Sequence, residues 1–255
     1  MSLSSNSVIH YTKSLANLKG IIKEHRFHLS YCTDYIREDN KAENAQFEIA
    51  VPMVCFCDIP FTEVSKLTKE YGCYGIGLSK KWAMEKGLNP VLYFDSKSKA
   101  TRILNAIEYL SSSISYYTNE DHISHKAKNL RKECEGLLGY IKNYQSVPYK
   151  VKKIPANYVF YNEREWRYVP SQNEVNSNSD LKLLLQKTEY ETNKRKYNSI
   201  AKKHYLSFEE TDITYIILKK KEEIDDMLSF LKNIGIKTPE LCTKIISLEQ
   251  RENDF

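Results

Sequence analysis

Apolar residues recur along this chain at two spacings. Alternation with polar residues, or short apolar runs between turn formers, predicts strands; recurrence three and four apart predicts helices. "VIHYT" (8–12) predicts a first strand, followed by a helix with Leu15, Leu18, Ile21 and Ile22 in one stripe, capped by Thr12 or Ser14. "RFHLSYC" (26–32) predicts a strand, and the polar stretch 33–50 an exposed loop. "VPMVCFCDIP" (51–60) predicts a buried strand ended by Pro60, then a short helix with Val64, Leu67 and Tyr71 on one face, stopped by Gly72. A glycine-containing strand, a helix from Ser79 to Gly87 and the strand "NPVLYF" (89–94) come next.

Two longer helices are expected at about 97–117 (Ile103, Leu104, Ile107, Leu110) and 122–143 (Ile123, Leu130, Cys134, Leu137, Ile141). The remaining expectations are a strand at 158–169, a lysine-rich helix at about 180–204, the strand "ITYIIL", a helix closed by Gly235 and a last strand, "TKIISL". Strands interrupted by helices, without repeats, predict a single α+β domain over 1–255 with a helical insertion at about 97–150.

Composition narrows the class without naming an activity. With 41% hydrophobic and 28% charged residues the chain reads as soluble and globular. No apolar run approaches the roughly 18–20 residues of a membrane span. "MSLSSNSVIHYT" has neither a basic start nor an apolar core, so the expected location is cytoplasmic. The 6 cysteines are scattered and read as reduced thiols. Cys55 and Cys57 form C-x-C without a second pair at zinc spacing, and are expected as small buried residues. His122 and His125 share a helical face but lack a third ligand, so no metal is expected. The net charge is +5, with lysines concentrated late in "KRKYNSIAKKHY" (194–205) and "KKK" (219–221). Such a run is either a solvated helix face or a surface for phosphates.

The chemistry candidates centre on "VFYNEREWRYV" (159–169). On a continuous strand Glu163, Glu165 and Arg167 would line one face. A strand carboxylate in a cleft can serve as a general base or stabilise a cationic sugar carbon. The alternative is an ion pair between Glu165 and Arg167, with Trp166 in the core. "IHYT" contributes His10, Tyr11 and Thr12 at the end of the first strand, where a histidine can donate to a ligand hydroxyl or be an ordinary half-buried residue. "YGCYGIG" (71–77) sets Tyr71 and Tyr74 among glycines, close enough to backbone to hold a flat heterocycle, or to make a tight helix-to-strand connection. Asp58 is expected to cap the following helix.

The block 51–94 with "NEREWRYV" (162–169), flanked by "IHYTKSLANLKGII" and "DITYIIL", resembles the abortive-infection AbiGi family, bacterial phage-resistance proteins labelled antitoxins. That resemblance implies a toxin–antitoxin setting and a cognate protein partner. More distantly, "IHYTKSLANLKGIIKEHRF" is similar to the opening of DarT-type ADP-ribosyltransferases. This second likeness implies a split mixed sheet that takes NAD as substrate. His10, with Tyr11 and Thr12, would hold the ribose, Tyr71 or Tyr74 would stack on nicotinamide, and Glu165 with Glu163 would be catalytic. The acceptor would be RNA, single-stranded DNA or protein. His25 stands where that family has a glycine, and the arginine in "EWR" is not a general feature of such transferases.

Overall fold

The computed structural model describes residues 5–37, 46–63, 71–95, 97–103, 106, 129, 136–145, 158–171, 174, 180–236 and 239–250. Its strands are β1 (Ser7–Thr12), β2 (Arg26–His28), β3 (Ser30–Arg37), β4 (Gln46–Cys57), β5 (Tyr74–Ser79), β6 (Asn89–Pro90) and β7 (Leu92–Phe94), then β8 (Ile141–Asn143), β9 (Glu165–Tyr168), β10 (Leu185–Gln186), β11 (Tyr205–Ser207), β12 (Ile213–Leu218) and β13 (Ile245–Ser247). The helices are α1 (Leu15–Glu24), α2 (Lys80–Glu85), α3 (Lys187–Thr192), α4 (Lys194–Ala201), α5 (Ile224–Asn233) and α6 (Pro239–Cys242).

Among the described residues a nine-stranded sheet runs β13-β12-β5-β1-β4-β9-β6, with β3 and β10 also on β4. Its β12–β13 pair is parallel and the others antiparallel, so the architecture is α+β with a mixed sheet. The largest core cluster joins Val8, Ile76 and Leu78 of the sheet to Leu18 and Ile22 of α1, Trp82 of α2 and Met227 of α5. Local chemistry explains the elements that follow expectation. Ser14 and Ser79 cap α1 and α2 by accepting from the backbone N–H of Asn17 and Trp82. Gly87 and Gly235 take positive φ just past α2 and α5. His25, at the position where the more distant resemblance implies a glycine, ends α1 in the left-handed region (φ 50), and its backbone N–H donates to the Ile21 and Ile22 carbonyls, accepting strain a glycine would avoid.

Several expectations are corrected. The supposed loop 33–50 contains most of β3 and the first part of β4, which pair continuously from Ser30↔Met53 to Arg37↔Gln46. Polar side chains hid the alternation because β3 pairs with β4 alone in the sheet, which leaves Thr33 exposed. The single strand expected at 26–32 breaks at Leu29, so that β2 can pair with β11 while β3 joins β4. The helix expected to reach 143 gives way to β8, parallel to β7, with Ile141 fully buried. A 3-10 turn, Phe160–Glu163, replaces the first half of the strand expected at 158–169; Arg164 then takes φ 45 and β9 begins. The lysine-rich helix is β10 followed by α3 and α4, which meet at Asn193. Most of the helical insertion, His122, His125 and the body of the helix expected after Pro60 lie outside the described residues.

Candidate functional site: a charged cleft beside the central strand

Only one register pair, Ile9↔Cys57, joins β1 to β4. Beyond it β1 continues along β5 while β4 takes β3 as partner, and a cavity of about 370 Å³ lies between them. That volume is in the range of small-molecule pockets. Directly paired residues share a face, so Ile9, Cys57, Glu165 and Arg167 point one way, and His10 the other with Phe56. The cavity takes in side chains from both faces because it occupies the gap itself.

One wall is a chain of alternating charges. Lys142 of β8 donates to Glu163 (2.7 Å) and Glu165 (2.9 Å). Arg167 donates through Nε and Nη2 to the two Glu165 oxygens (2.9 and 3.0 Å) and through Nη1 to the Gly139 carbonyl (2.8 Å). Its Nη2 also lies 2.7 Å from Asp34 Oδ2, at an angle too bent for a hydrogen bond, so that contact is ionic alone. Three carboxylates against two cations leave one formal negative charge beside the cavity. Burial works against the Glu165 carboxylate, but Arg167 and Lys142 outweigh it and hold its pKa well below the usual range. Burial likewise disfavours charge on Lys142, yet Glu165 and Glu163 raise its pKa well above the usual ammonium value. Cys57, by contrast, is pushed up to about 12 by burial, which leaves an inert thiol.

His10 supplies the opposite wall. Its Nδ1 lies 2.8 Å from the Cys55 carbonyl, and its ring packs edge-on to Phe27 and Phe56. A carbonyl only accepts, so Nδ1 carries the proton, and in the neutral ring Nε2 is an acceptor. A hydroxyl placed at Nε2 would therefore donate to the ring, the reverse of the direction expected for His10 as a donor. Burial lowers the pKa, with the Cys55 bond opposing. The unfolded chain therefore takes up a proton near the ordinary histidine value of 6.5 that the folded chain refuses, and stability falls as pH drops below that value. The melting temperature of the wild type should decline between about pH 6.5 and 5 more steeply than that of His10→Gln. Parallel curves across that window would show that His10 is not held neutral.

Of the residues selected from sequence, His10, Tyr11, Tyr71, Glu163 and Glu165 line the cavity. Tyr71, 42% exposed, stands at its edge, and Glu163 lines the same cavity. Thr12 and Tyr74 are outside its lining: Thr12 accepts from Asn17 (3.2 Å), and the Tyr74 hydroxyl donates to Glu223 (2.7 Å). Asp58 accepts from Lys80 (2.7 Å) and from the Ser5 backbone (3.0 Å). Sequence reasoning missed Lys142, Asp34 and Cys32. Only the alternation Ile141–Lys142–Asn143 signalled the first, and it was submerged in a helical period. Among the described residues no three His, Cys, Asp or Glu side chains converge as metal ligands, and no helix is long and apolar enough to cross a membrane.

Fold and cleft together describe an α+β protein built around a buried, ion-paired carboxylate site. Residues 25–219 match the family described as "Putative abortive phage resistance protein AbiGi, antitoxin", and the chain belongs to that family. It is 32% identical over 228 residues to the abortive phage resistance protein AbiGi of Lactococcus lactis subsp. cremoris, a match covering 80% of this chain and 89% of that protein. The likeness read from 51–94 and 162–169 is thus borne out at the level of the family. No solved structure matches the chain.

Proposed function

We propose that this chain serves abortive phage resistance as an NAD-dependent mono-ADP-ribosyltransferase, with the cleft between β1 and β4 as its active site. The observation that carries the reading is the convergence of His10, Tyr71, Glu163 and Glu165, far apart in sequence, on one cavity. NAD would be a substrate, and the cavity is of a size for its nicotinamide–ribose half. The bond from the ribose anomeric carbon to nicotinamide breaks with both electrons going to the ring nitrogen, which leaves neutral. The ionised Glu165 offsets the positive charge that develops on the sugar. An acceptor oxygen or nitrogen then attacks that carbon and passes its proton to Glu163. His10 Nε2 would accept from a ribose hydroxyl, and the Tyr71 ring would stack on nicotinamide.

The test is transfer of radiolabel from NAD to RNA, single-stranded DNA or lysate protein, with wild type beside Glu165→Gln. Transfer by wild type, reduced about 100-fold or more in the variant, supports the reading. Melting curves of both proteins separate lost chemistry from lost folding. Absence of label on every acceptor, with no rise in melting temperature on adding NAD, overturns it.

A second reading, an antitoxin that neutralises a toxin by contact alone, has its own support. The family is described as an antitoxin, and Glu165 already receives three charge-assisted hydrogen bonds. It requires a stable complex with a toxin that is indifferent to NAD.

A further inference from the structure

Residues 187–204 hold six Lys or Arg against two Glu, a net +4 of the chain's +5. Lys187 is paired with Glu48, but among the described residues Lys194, Arg195, Lys196, Lys202 and Lys203 make no salt bridge, and all five are exposed. Three of them crowd the first turn of α4, which has neither an acidic residue there nor a side-chain cap. Lys194 and Lys196 lie over the Tyr190 and Tyr197 rings, and cations at a helix N-terminus oppose its dipole, so an anion set against them would find both the charges and the dipole favourable. Lys202 and Lys203 continue the run about 12 Å further along the helix axis.

Tyrosines adjoin the basic run. Tyr205, 50% exposed, follows it directly, with the Arg26 guanidinium 4.7 Å from its ring centre. Tyr205 is also one wall of an open groove of about 830 Å³ that Tyr140 and Tyr168 line as well. Of the acidic side chains in that groove, Glu174 already accepts from the Tyr168 hydroxyl (2.8 Å) and the Ser171 backbone (2.6 Å). Beside Tyr205, His28 packs edge-on to that ring, its Nδ1 2.7 Å from the Lys202 carbonyl and its Nε2 2.8 Å from the Glu24 carboxylate, and the same residue is part of the lining of the cavity by β1. Basic run, tyrosine groove and cavity are therefore contiguous.

We propose that α4 and the tyrosine groove form a binding surface for single-stranded nucleic acid. Phosphates would lie along Lys194–Lys196 and Lys202–Lys203, and unpaired bases would stack on Tyr205 and its neighbours. An exposed aromatic ring beside a guanidinium, next to exposed cations that make no salt bridge among the described residues, is the combination that single strands use; a duplex keeps its base faces covered. This inference stands apart from the transferase reading, because binding needs no turnover and no Glu165.

The experiment is fluorescence anisotropy of a labelled 20-nucleotide single strand, as RNA and as DNA, titrated with the full chain at several salt concentrations. A duplex of the same sequence and a poly-glutamate peptide serve as competitors. If all five cations meet phosphates, wild-type affinity should fall roughly 100-fold from 50 to 200 mM salt. Lys194→Gln/Arg195→Gln/Lys196→Gln should weaken binding and flatten the log–log salt slope by about 2. Tyr205→Ala should weaken binding about 10-fold with the slope unchanged. Binding untouched by both variants, or displaced as well by poly-glutamate or duplex as by the single strand, overturns the proposal; the poly-glutamate result would indicate an acidic protein partner. All the altered side chains are exposed, and circular dichroism checks that each variant is folded.

Discussion

Replacing Arg167 with methionine should lower the melting temperature by about 10 °C. Arg167 is 1% exposed, and its guanidinium faces Glu165, Asp34 and the Gly139 carbonyl. Removing one member of a buried ionic cluster leaves the others desolvated and unpaired, at a cost of about 3–5 kcal/mol. In a chain of this size each kcal/mol corresponds to roughly 2–4 °C. Adding Asp34→Asn to the variant should restore part of the loss, since it removes a charge that had become unpaired. The acid limb gives a second check. Arg167 helps to depress the Glu165 pKa below the ordinary 4.5, so this part of the stability is present above that value and is lost as pH falls. Wild-type and variant melting temperatures should therefore converge on acidification. A change below about 2 °C at neutral pH would mean that water already neutralises the cluster.

Gly72→Ala should be the most damaging glycine substitution near the cleft. Gly72 has φ +116, and an added Cβ would stand 2.2 Å from the Thr12 carbonyl oxygen and 2.6 Å from the Lys13 Cα. These are backbone atoms at the end of β1, so relief requires the strand to move. A cost of about 3 kcal/mol combines the clash with conformational strain. Gly87→Ala is the control: its φ is +75 but a Cβ there meets nothing within 4 Å, so only the conformational cost of about 1 kcal/mol remains. Equal losses in urea unfolding would refute the distinction. Because Tyr71 adjoins Gly72, the same shift should disturb the cavity edge.

Local codes carried the elements that were read correctly. α1 is legible from Ser14 and the stripe through Leu18 and Ile22, and α2 from Ser79 and Gly87. β12 is legible from its apolar run and α5 from Gly235. The misread segments are those whose partners lie far away in sequence. β3 holds strand formers (Tyr31, Thr33, Tyr35, Ile36), but its polar setting masked the alternation, and its pairing with β4 is what places it in the sheet. β8 ends a stretch with helical spacing, but Ile141 packs with Val51 and Val169 in a separate core cluster.

The candidate site divides along the same line. The sequence by itself determined which residue types were available: a histidine on the first strand, a tyrosine beside a glycine, two glutamates and an arginine within five positions. It also carried the AbiGi family pattern and the late concentration of lysines. Only the tertiary structure decided that β1 parts from β4 after a single register pair and so opens a cavity. Tertiary contacts alone brought Lys142 between the two glutamates, set Asp34 against Arg167, took Tyr74 away to Glu223 and assigned the His10 proton to Nδ1. The physical reason is range. Periodicity and capping act within a few residues, whereas an ion pair or a strand gap depends on groups that only folding brings within a few ångströms, and no local pattern encodes it.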